Sequence, residues 1–388
     1  MSEHVVVVGG GIGGLALALA VSARGHRATV LERSAEFAEL GAGIQLAPNG
    51  LHALARLGLG TAVRPIATPM DELRFMDGVT GAHVVSMPLT ATYQRRFGSP
   101  YAVVHRGHLF GLLLDACRSS PGVELRADSP VAGYTQDNAG ATAVLASGER
   151  VTGTLLVGAD GIRSTIREQL VGDGEPRVSG ITVYRSIIPI EEVPPPLRSA
   201  AVTWWAGPKC HFVHYPIGGG RFLNLAASSD DGVTEAFAGV PATTDRVRRE
   251  FQRLPAARHL LDLGRDWRAW VLVDREPVDD WCDGRVTLLG DAAHPMLHYA
   301  AQGACQALED AVLLAELVDR GPAGLVEYQE RRRDRTAAIQ RISRESIRLW
   351  HPEGAAAQAR NRMLAAMTAE RLHDEVAWMH EERIGVAG

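Results

Sequence analysis

Four observations point to an α/β protein with a second, mostly antiparallel sheet and a helical C-terminal part. A continuous apolar run at 5–8 and mostly apolar runs at 28–31, 154–157 and 286–289 read as strands buried on both faces, as in a parallel sheet. A glycine-rich turn follows the first of them and opens a helix rich in alanine and leucine. Between 181 and 229 the pattern changes to strands carrying Trp, Tyr, His and Phe, broken by the consecutive prolines at 194–196, which reads as a separate antiparallel layer. From 303 onwards the chain reads as largely helical.

The opening unit organises the rest. The run over 5–8 breaks into Gly9-Gly10-Gly11-Ile12-Gly13-Gly14, a helix follows over 15–24, and after Gly25 a second strand over 28–31 ends in Glu32-Arg33. Strand, glycine turn, helix, strand and acid within about 30 residues make a Rossmann-like dinucleotide-binding unit. Gly9 permits the tight turn, Gly11 lets the backbone approach a pyrophosphate, and Gly14 lets the helix pack on the sheet. The helix N-terminus offers free N–H groups and a positive dipole end to phosphates. Glu32 can accept hydrogen bonds from two ribose hydroxyls, with Arg33 beside it. An acid there argues for an unphosphorylated ribose, hence FAD or NAD rather than NADP, and leaves those two open.

The remaining elements follow in order. Residues 35–49 read as a glycine-rich loop leading into a helix near 50–57. Alternation at 71–77 and 83–88 predicts a hairpin outside the nucleotide-binding sheet, and 101–104 a strand followed by His105-Arg106 and a helix over 108–118. Runs at 123–127, 131–136 and 141–146 read as a β-meander. The strand at 154–157 ends in Gly158-Ala159-Asp160-Gly161, and that at 286–289 in Gly290-Asp291-Ala292-Ala293-His294-Pro295. A helix is expected over 244–258, a strand over 270–273, and helices over 303–318, 325–349 and on through 384. These patterns predict a discontinuous nucleotide-binding domain (1–70, 100–175 and 272–345), a substrate-side sheet domain (71–99 and 176–271) and a helical segment (346–388).

Composition narrows the function. A chain of 388 residues has room for about two to three domain-sized units. The net charge of −5, without a basic stripe, excludes the electrostatic footprint of a nucleic-acid binder. No basic and apolar leader precedes the first strand, and no run of ~18 apolar residues occurs, so a cytoplasmic protein without a membrane span is expected. Four cysteines without a CxxC pairing fit reduced thiols, and no metal site is expected.

The glycine turn at 9–14, the Asp160-Gly161 motif and the Gly290-Asp291 motif, in this order and spacing, resemble the single-component FAD-dependent aromatic hydroxylases, whose prototype is p-hydroxybenzoate hydroxylase. The resemblance covers nearly the whole chain. Its chemistry is also legible from position. Asp160 and Asp291 end apolar strands, where ligands sit in a doubly wound sheet. Asp291 can accept from a flavin's ribityl hydroxyls, and Gln302-Gly303-Ala304 opens a helix whose N–H groups face the pyrimidine end of the ring. The resemblance implies that 160–167 serves both FAD and NAD(P)H and that Arg106 contacts the pyrophosphate. A helix N-cap is the plainer role for either aspartate, and a surface ion pair for Arg106. No second GxGxxG follows, so the nicotinamide cofactor lacks a domain of its own.

The resemblance further implies that NAD(P)H reduces FAD, that O2 then forms a C4a-hydroperoxide, and that an electron-rich ring attacks it in a site closed to water. A phenol of pKa near 10 is only about one-thousandth ionised at pH 7, a deficit of roughly 4 kcal/mol, and a neutral histidine is the natural acceptor. The segment His211-Phe212-Val213-His214-Tyr215-Pro216 supplies candidates. As a strand it puts His211, Val213 and Tyr215 on one face and Phe212, His214 and Pro216 on the other.

Residues 294–304 resemble the 3-hydroxybenzoate 6-hydroxylase branch, which implies His214 as base and Gln302 as its hydrogen-bonding partner. His211 and Tyr215 are the rival pair, by similarity to pyridine hydroxylases. Pro295 is expected along the ring edge, His294 as a supporting hydrogen bonder and Cys305 as packing. His298, among the expected substrate contacts, and Ala300 depart from the branch pattern.

The expected reaction is conversion of 3-hydroxybenzoate to gentisate with O2 and NADH, ahead of NADPH. Decarboxylating salicylate 1-hydroxylation and hydroxypyridine carboxylate hydroxylation are the alternatives. A flavin reductase and a non-catalytic flavin binder rank below them. Trp350, Met363, Met367, Trp378 and Met379 on the C-terminal helices read as core packing, with a homodimer interface or an apolar ligand groove as the other readings.

Overall fold

The computed structural model describes residues 2–38 and 42–381. Gly41 of the expected loop, and the helical run expected from 382 to 384, lie outside the described residues. Among the described residues the strands form four sheets. The central one has the order Cys282–Asp283, Val286–Leu288, Leu155–Gly158, His4–Val8, Arg27–Leu31, Val123–Arg126, parallel except at the Cys282–Asp283 edge. Its apolar runs pack against the helices Ile12–Ala23, Arg106–Arg118 and Gly303–Leu317, and Val5, Val6 and Val7 are fully buried.

Two expectations change here. Val123–Arg126 pairs in parallel with Arg27–Leu31 and completes this sheet, so the meander is instead Val131–Gln136, Ala141–Leu145 and Arg150–Gly153. The reason is topological, because a helix directly before a strand returns it parallel to its neighbours. The stretch read as loop contains a strand, Gly43–Leu46, paired with Ala102–His105. Its leading glycine hides it. A Cβ at Gly43 would stand 2.6 Å from Tyr215 Cε2, so glycine is there to admit that ring.

The largest sheet runs Val240–Pro241, Arg268–Asp274, Arg177–Pro189, Phe222–Asp230, Cys210–Ile217, Ala201–Gly207, Glu72–Asp77, His83–Pro88. One face packs on a second core with Val247, Phe251, Leu254, Leu260 and Trp267. The helix expected over 244–258 is two, Thr244–Glu250 and Arg258–Leu261, separated at Pro255, whose ring cannot sit in a helix interior. The other face looks towards the parallel sheet.

At the C-terminal end the helices are Pro322–Glu345, Ile347–Trp350, Gly354–Ala365 and Ala369–His380. Trp350 and Met379 are buried, whereas Met363 (54 %) and Trp378 (41 %) remain exposed. Among the described residues no helix is long and apolar enough to cross a membrane, and no cluster suits a metal ion. All four cysteines are unpaired, and Cys305 packs against Gly50.

Candidate active site

A cavity of about 360 Å³ lies between the C-terminal ends of the parallel strands and the inner face of the eight-stranded sheet. The parallel sheet contributes backbone. Gly11, Ile12 and Gly13 follow the first strand, Ala159 and Gly161 follow Leu155–Gly158, and Gly290 and Asp291 follow Val286–Leu288. The glycines have distinct duties. Gly9 turns at φ +110° with a Cβ position 2.4 Å from the Ala159 carbonyl oxygen, and a Cβ at Gly14 would stand 2.0 Å from the Gly9 oxygen. Beside Gly11, the N-cap of the helix, nothing stands within 4 Å of the Cβ position. That open cradle at a helix N-terminus suits a pyrophosphate.

Asp291 is open to the cavity, with Arg106 on the same lining. Gly303 and Ala304 begin the helix Gly303–Leu317 and present its N-terminus to the same space. Glycine cradle, carboxylate, cation and second helix N-terminus fit a flavin dinucleotide laid across the strand ends. Glu32 accepts from the Gly10 N–H and the Ser34 N–H, both at 2.9 Å, so it braces the glycine turn and is not part of the cavity wall. Arg33 is exposed beside it.

Asp160 is engaged within the protein. One carboxylate oxygen accepts from Ser164 Oγ at 2.5 Å and the other from the Thr165 N–H at 2.8 Å, before the helix Thr165–Leu170. The side chain caps a helix, and its neighbours Ala159 and Gly161 line the cavity in its place. Pro295 departs from its expected place along the ring edge. It is buried outside the lining, and its carbonyl accepts from Gln340 Nε2 at 2.9 Å. His294 sits behind the loop with Nε2 2.7 Å from Asp310 Oδ2, which also accepts from the Gly290 N–H at 2.9 Å. Burial would raise the Asp310 pKa, but His294 and Arg332 together hold it well below the usual carboxylate range. Arg167, fully buried, donates to the Ala292 and Ala293 carbonyls at 3.0 and 2.7 Å and fixes the other side of the same loop.

The sheet face supplies side chains, and alternation decides which. Across four strands, Arg185, Ala226, Val213 and Trp204 stand in one row. His211 and Tyr215 flank Val213 on the same face, and all six line the cavity. His214, three residues from His211, points to the opposite face. There it is buried near the rings of Phe212 (5.5 Å) and Trp205 (6.5 Å), and it does not line the cavity. The expectation that His214 is the base is therefore corrected in favour of the rival face. Burial lowers the His214 pKa to about 3.

On the cavity side, burial and then His351 and His298 hold the His211 pKa well below its ordinary value. Burial takes His298 to about 3, with Arg185 and His351 adding to the effect, and its Nε2 is 3.4 Å from Ser228 Oγ. Tyr215 donates to the Gly43 carbonyl at 2.9 Å, and burial pushes its phenol up to about 12.

Gln302 lines the wall opposite the sheet. Its Oε1 accepts from Asn49 Nδ2 at 2.9 Å and Gln306 Nε2 at 3.0 Å, which leaves the amide NH2 as the group available to the cavity. Glu309 accepts from both of those donors and is clamped by Arg332 and Arg335. Apart from Gln302 itself, none of this network, nor Arg185, was anticipated. For Arg185 a signal existed, a charged residue in a buried strand between the same-face apolar Val183 and Ile187. Arg185 makes no hydrogen bond or ion pair with a described residue, and its guanidinium lies 5.9 Å from the Trp270 ring.

Comparisons agree with this geometry. The family model described as "FAD binding domain" matches residues 2–343. The chain is 45% identical over 387 residues to 3-hydroxybenzoate 6-hydroxylase 1 of Aquipseudomonas alcaligenes, covering 98% of each chain. It is 40% identical to 3-hydroxybenzoate 6-hydroxylase of Polaromonas naphthalenivorans (strain CJ2), covering 98% of this chain and 96% of the other. Among solved structures, a salicylate hydroxylase substrate complex superposes with a TM-score of 0.83 at 25% identity, over 98% and 96% of the two chains. Klebsiella pneumoniae HpxO complexed with FAD and uric acid does so with a TM-score of 0.82 at 26%, over 96% and 95%. With the glycine cradle, the paired helix N-termini and a cavity roofed by a polar sheet face, these similarities establish that the chain belongs to the FAD-dependent aromatic hydroxylases, a family of flavoprotein monooxygenases.

Proposed function

We propose that the protein hydroxylates 3-hydroxybenzoate para to its hydroxyl, giving gentisate. The observation that carries this reading is the composition of one sheet face, where a cation without an ion pair among the described residues, Arg185, shares the cavity with an imidazole, His211. Burial pulls the Arg185 pKa down, yet a guanidinium stays charged at neutral pH, so a ligand carboxylate is the missing partner. His211, kept neutral by its surroundings, has a lone pair for a phenolic proton. Bound FAD, once reduced by a nicotinamide, supplies the activation of O2. The chain does the rest. Arg185 orients the acid, His211 draws the proton from the phenol oxygen, and the Gln302 amide N–H donates to the oxygen left negative. Trp204, Val213 and Ala226 exclude water around the ring.

The names of the two similar hydroxylases support the substrate, and the salicylate hydroxylase neighbour supports a decarboxylating runner-up. In the same proposal NADH is the hydride donor ahead of NADPH, and the setting is cytoplasmic. The exposed Met363 and Trp378 meet a second copy in a homodimer.

Mass analysis of products from FAD-loaded protein, NADH and O2 tests the reading. Gentisate is expected from 3-hydroxybenzoate, whereas catechol from salicylate favours the runner-up, and no product from either sinks both. His211→Asn should slow hydroxylation by about 10²- to 10⁴-fold, while His214→Asn leaves it within about threefold. Equal losses in the two variants would remove His211 from the role.

A further inference from the structure

His211 Nδ1 lies 2.9 Å from His351 Nε2, so one ring donates to the other. His351 comes from the C-terminal part of the chain, directly after the helix Ile347–Trp350, and its carbonyl accepts from the Lys209 N–H at 3.1 Å, tying it to the hairpin that carries His211. Trp350 is held against the cavity by Phe75 and Trp204, at ring distances of 5.0 and 5.6 Å. Both histidines are buried, His211 at 2 % exposure and His351 at 8 %.

We propose that His351 is the positioning residue for His211: it accepts the Nδ1–H of His211 and so keeps Nε2, the nitrogen on the cavity side, as a bare proton acceptor. The inference rests on the reading of His211 as the base. A neutral imidazole carries one donor and one acceptor nitrogen, and what the inner nitrogen binds decides which one faces the ligand. Were the inner bond reversed, His211 would show the cavity an N–H and could not take a proton there.

The same contact acts once the proton has moved. The phenol O–H bond breaks and an Nε2–H bond forms, which leaves an imidazolium whose Nδ1–H needs an acceptor. The other titratable or charged groups facing the pair are His298 and Tyr299 from the turn His298–Ala300, with Arg185 beside His298 and Asp230 beside Tyr299. Among the described residues no carboxylate contacts either ring, so the His351 lone pair is the acceptor at hand. Burial holds the His351 pKa at about 4, which keeps that lone pair free at neutral pH.

The test compares His351→Phe, which keeps a ring and removes the acceptor, with His351→Gln, which keeps an acceptor oxygen. Nitrogen-15 imidazole NMR of the FAD-loaded enzyme, with the His211 signals identified by their loss in His211→Asn, should show the Nδ1–H tautomer in the wild type. It should show a shift towards Nε2–H in His351→Phe. The pH-independent kcat/KM for 3-hydroxybenzoate should fall about tenfold or more in His351→Phe, as for one hydrogen bond to a charged group, and recover to within about threefold in His351→Gln. FAD affinity should be unchanged in both. A wild-type tautomer in His351→Phe, or an equal fall in both variants, overturns the proposal. Absence of product from the wild type overturns the substrate reading only, and the tautomer comparison then decides this one.

Discussion

At Gly11 and Gly14, three residues apart on one helix, the absence of a side chain serves opposite ends. The Cβ position of Gly11 faces empty cavity, and that of Gly14 faces a carbonyl oxygen 2.0 Å away. Gly11→Val should therefore leave a folded protein that no longer retains FAD, while Gly14→Ala should fail to fold. Circular dichroism and flavin absorbance of the purified variants separate the two outcomes, and a yellow Gly11→Val protein would contradict the cradle. The glycine pattern was legible because sterics at a tight turn leave one residue type. The histidines were half legible: alternation divides His211 from His214 but says nothing of which face meets the ligand. That depended on the apolar layer of Val247, Phe251 and Leu254, which claims one side of the sheet.

Among the elements, the short helix Thr165–Leu170 shows how one motif can serve a site indirectly. Asp160 and Ser164 satisfy its first N–H groups, and Arg167 from within it holds the Ala292 and Ala293 carbonyls. Asp160→Ala should cost about 1 kcal/mol of stability through the lost cap, with FAD affinity reduced less than about threefold. Urea unfolding and a flavin titration measure the two quantities, and a large loss of affinity without a loss of stability would restore Asp160 to direct contact. The parallel strands were plain in the sequence, because burial on both faces demands continuous apolar runs. The strand Gly43–Leu46 was not, since its glycine answers to the Tyr215 ring far along the chain.

For the molecule as a whole, buried neutral histidines set the response to acid. Burial lowers His214 and His380 to about 3 and His351 to about 4, against 6.5 for the ordinary side chain. Below pH 6.5 the unfolded chain binds protons at these sites and the folded one does not. Their contribution to stability is thus complete above pH 6.5 and lost progressively down to about pH 3 to 4. Each site contributes up to about 1.4 kcal/mol per pH unit, so the three together reach about 4. Denaturant midpoints of the FAD-loaded protein should fall from pH 7.5 to pH 5, and a midpoint that holds or rises would mean these rings are charged in the fold. By itself the sequence determined the dinucleotide-binding unit, the parallel sheet, the antiparallel layer and the class of chemistry, because those depend on periodicity, turn sterics and short motifs. Only the tertiary structure decided which histidine lines the cavity, that Arg185 stands there without an ion pair among the described residues and that His351 reaches back to His211. Those facts depend on which faces are covered and on contacts between distant parts of the chain, and no local pattern encodes either.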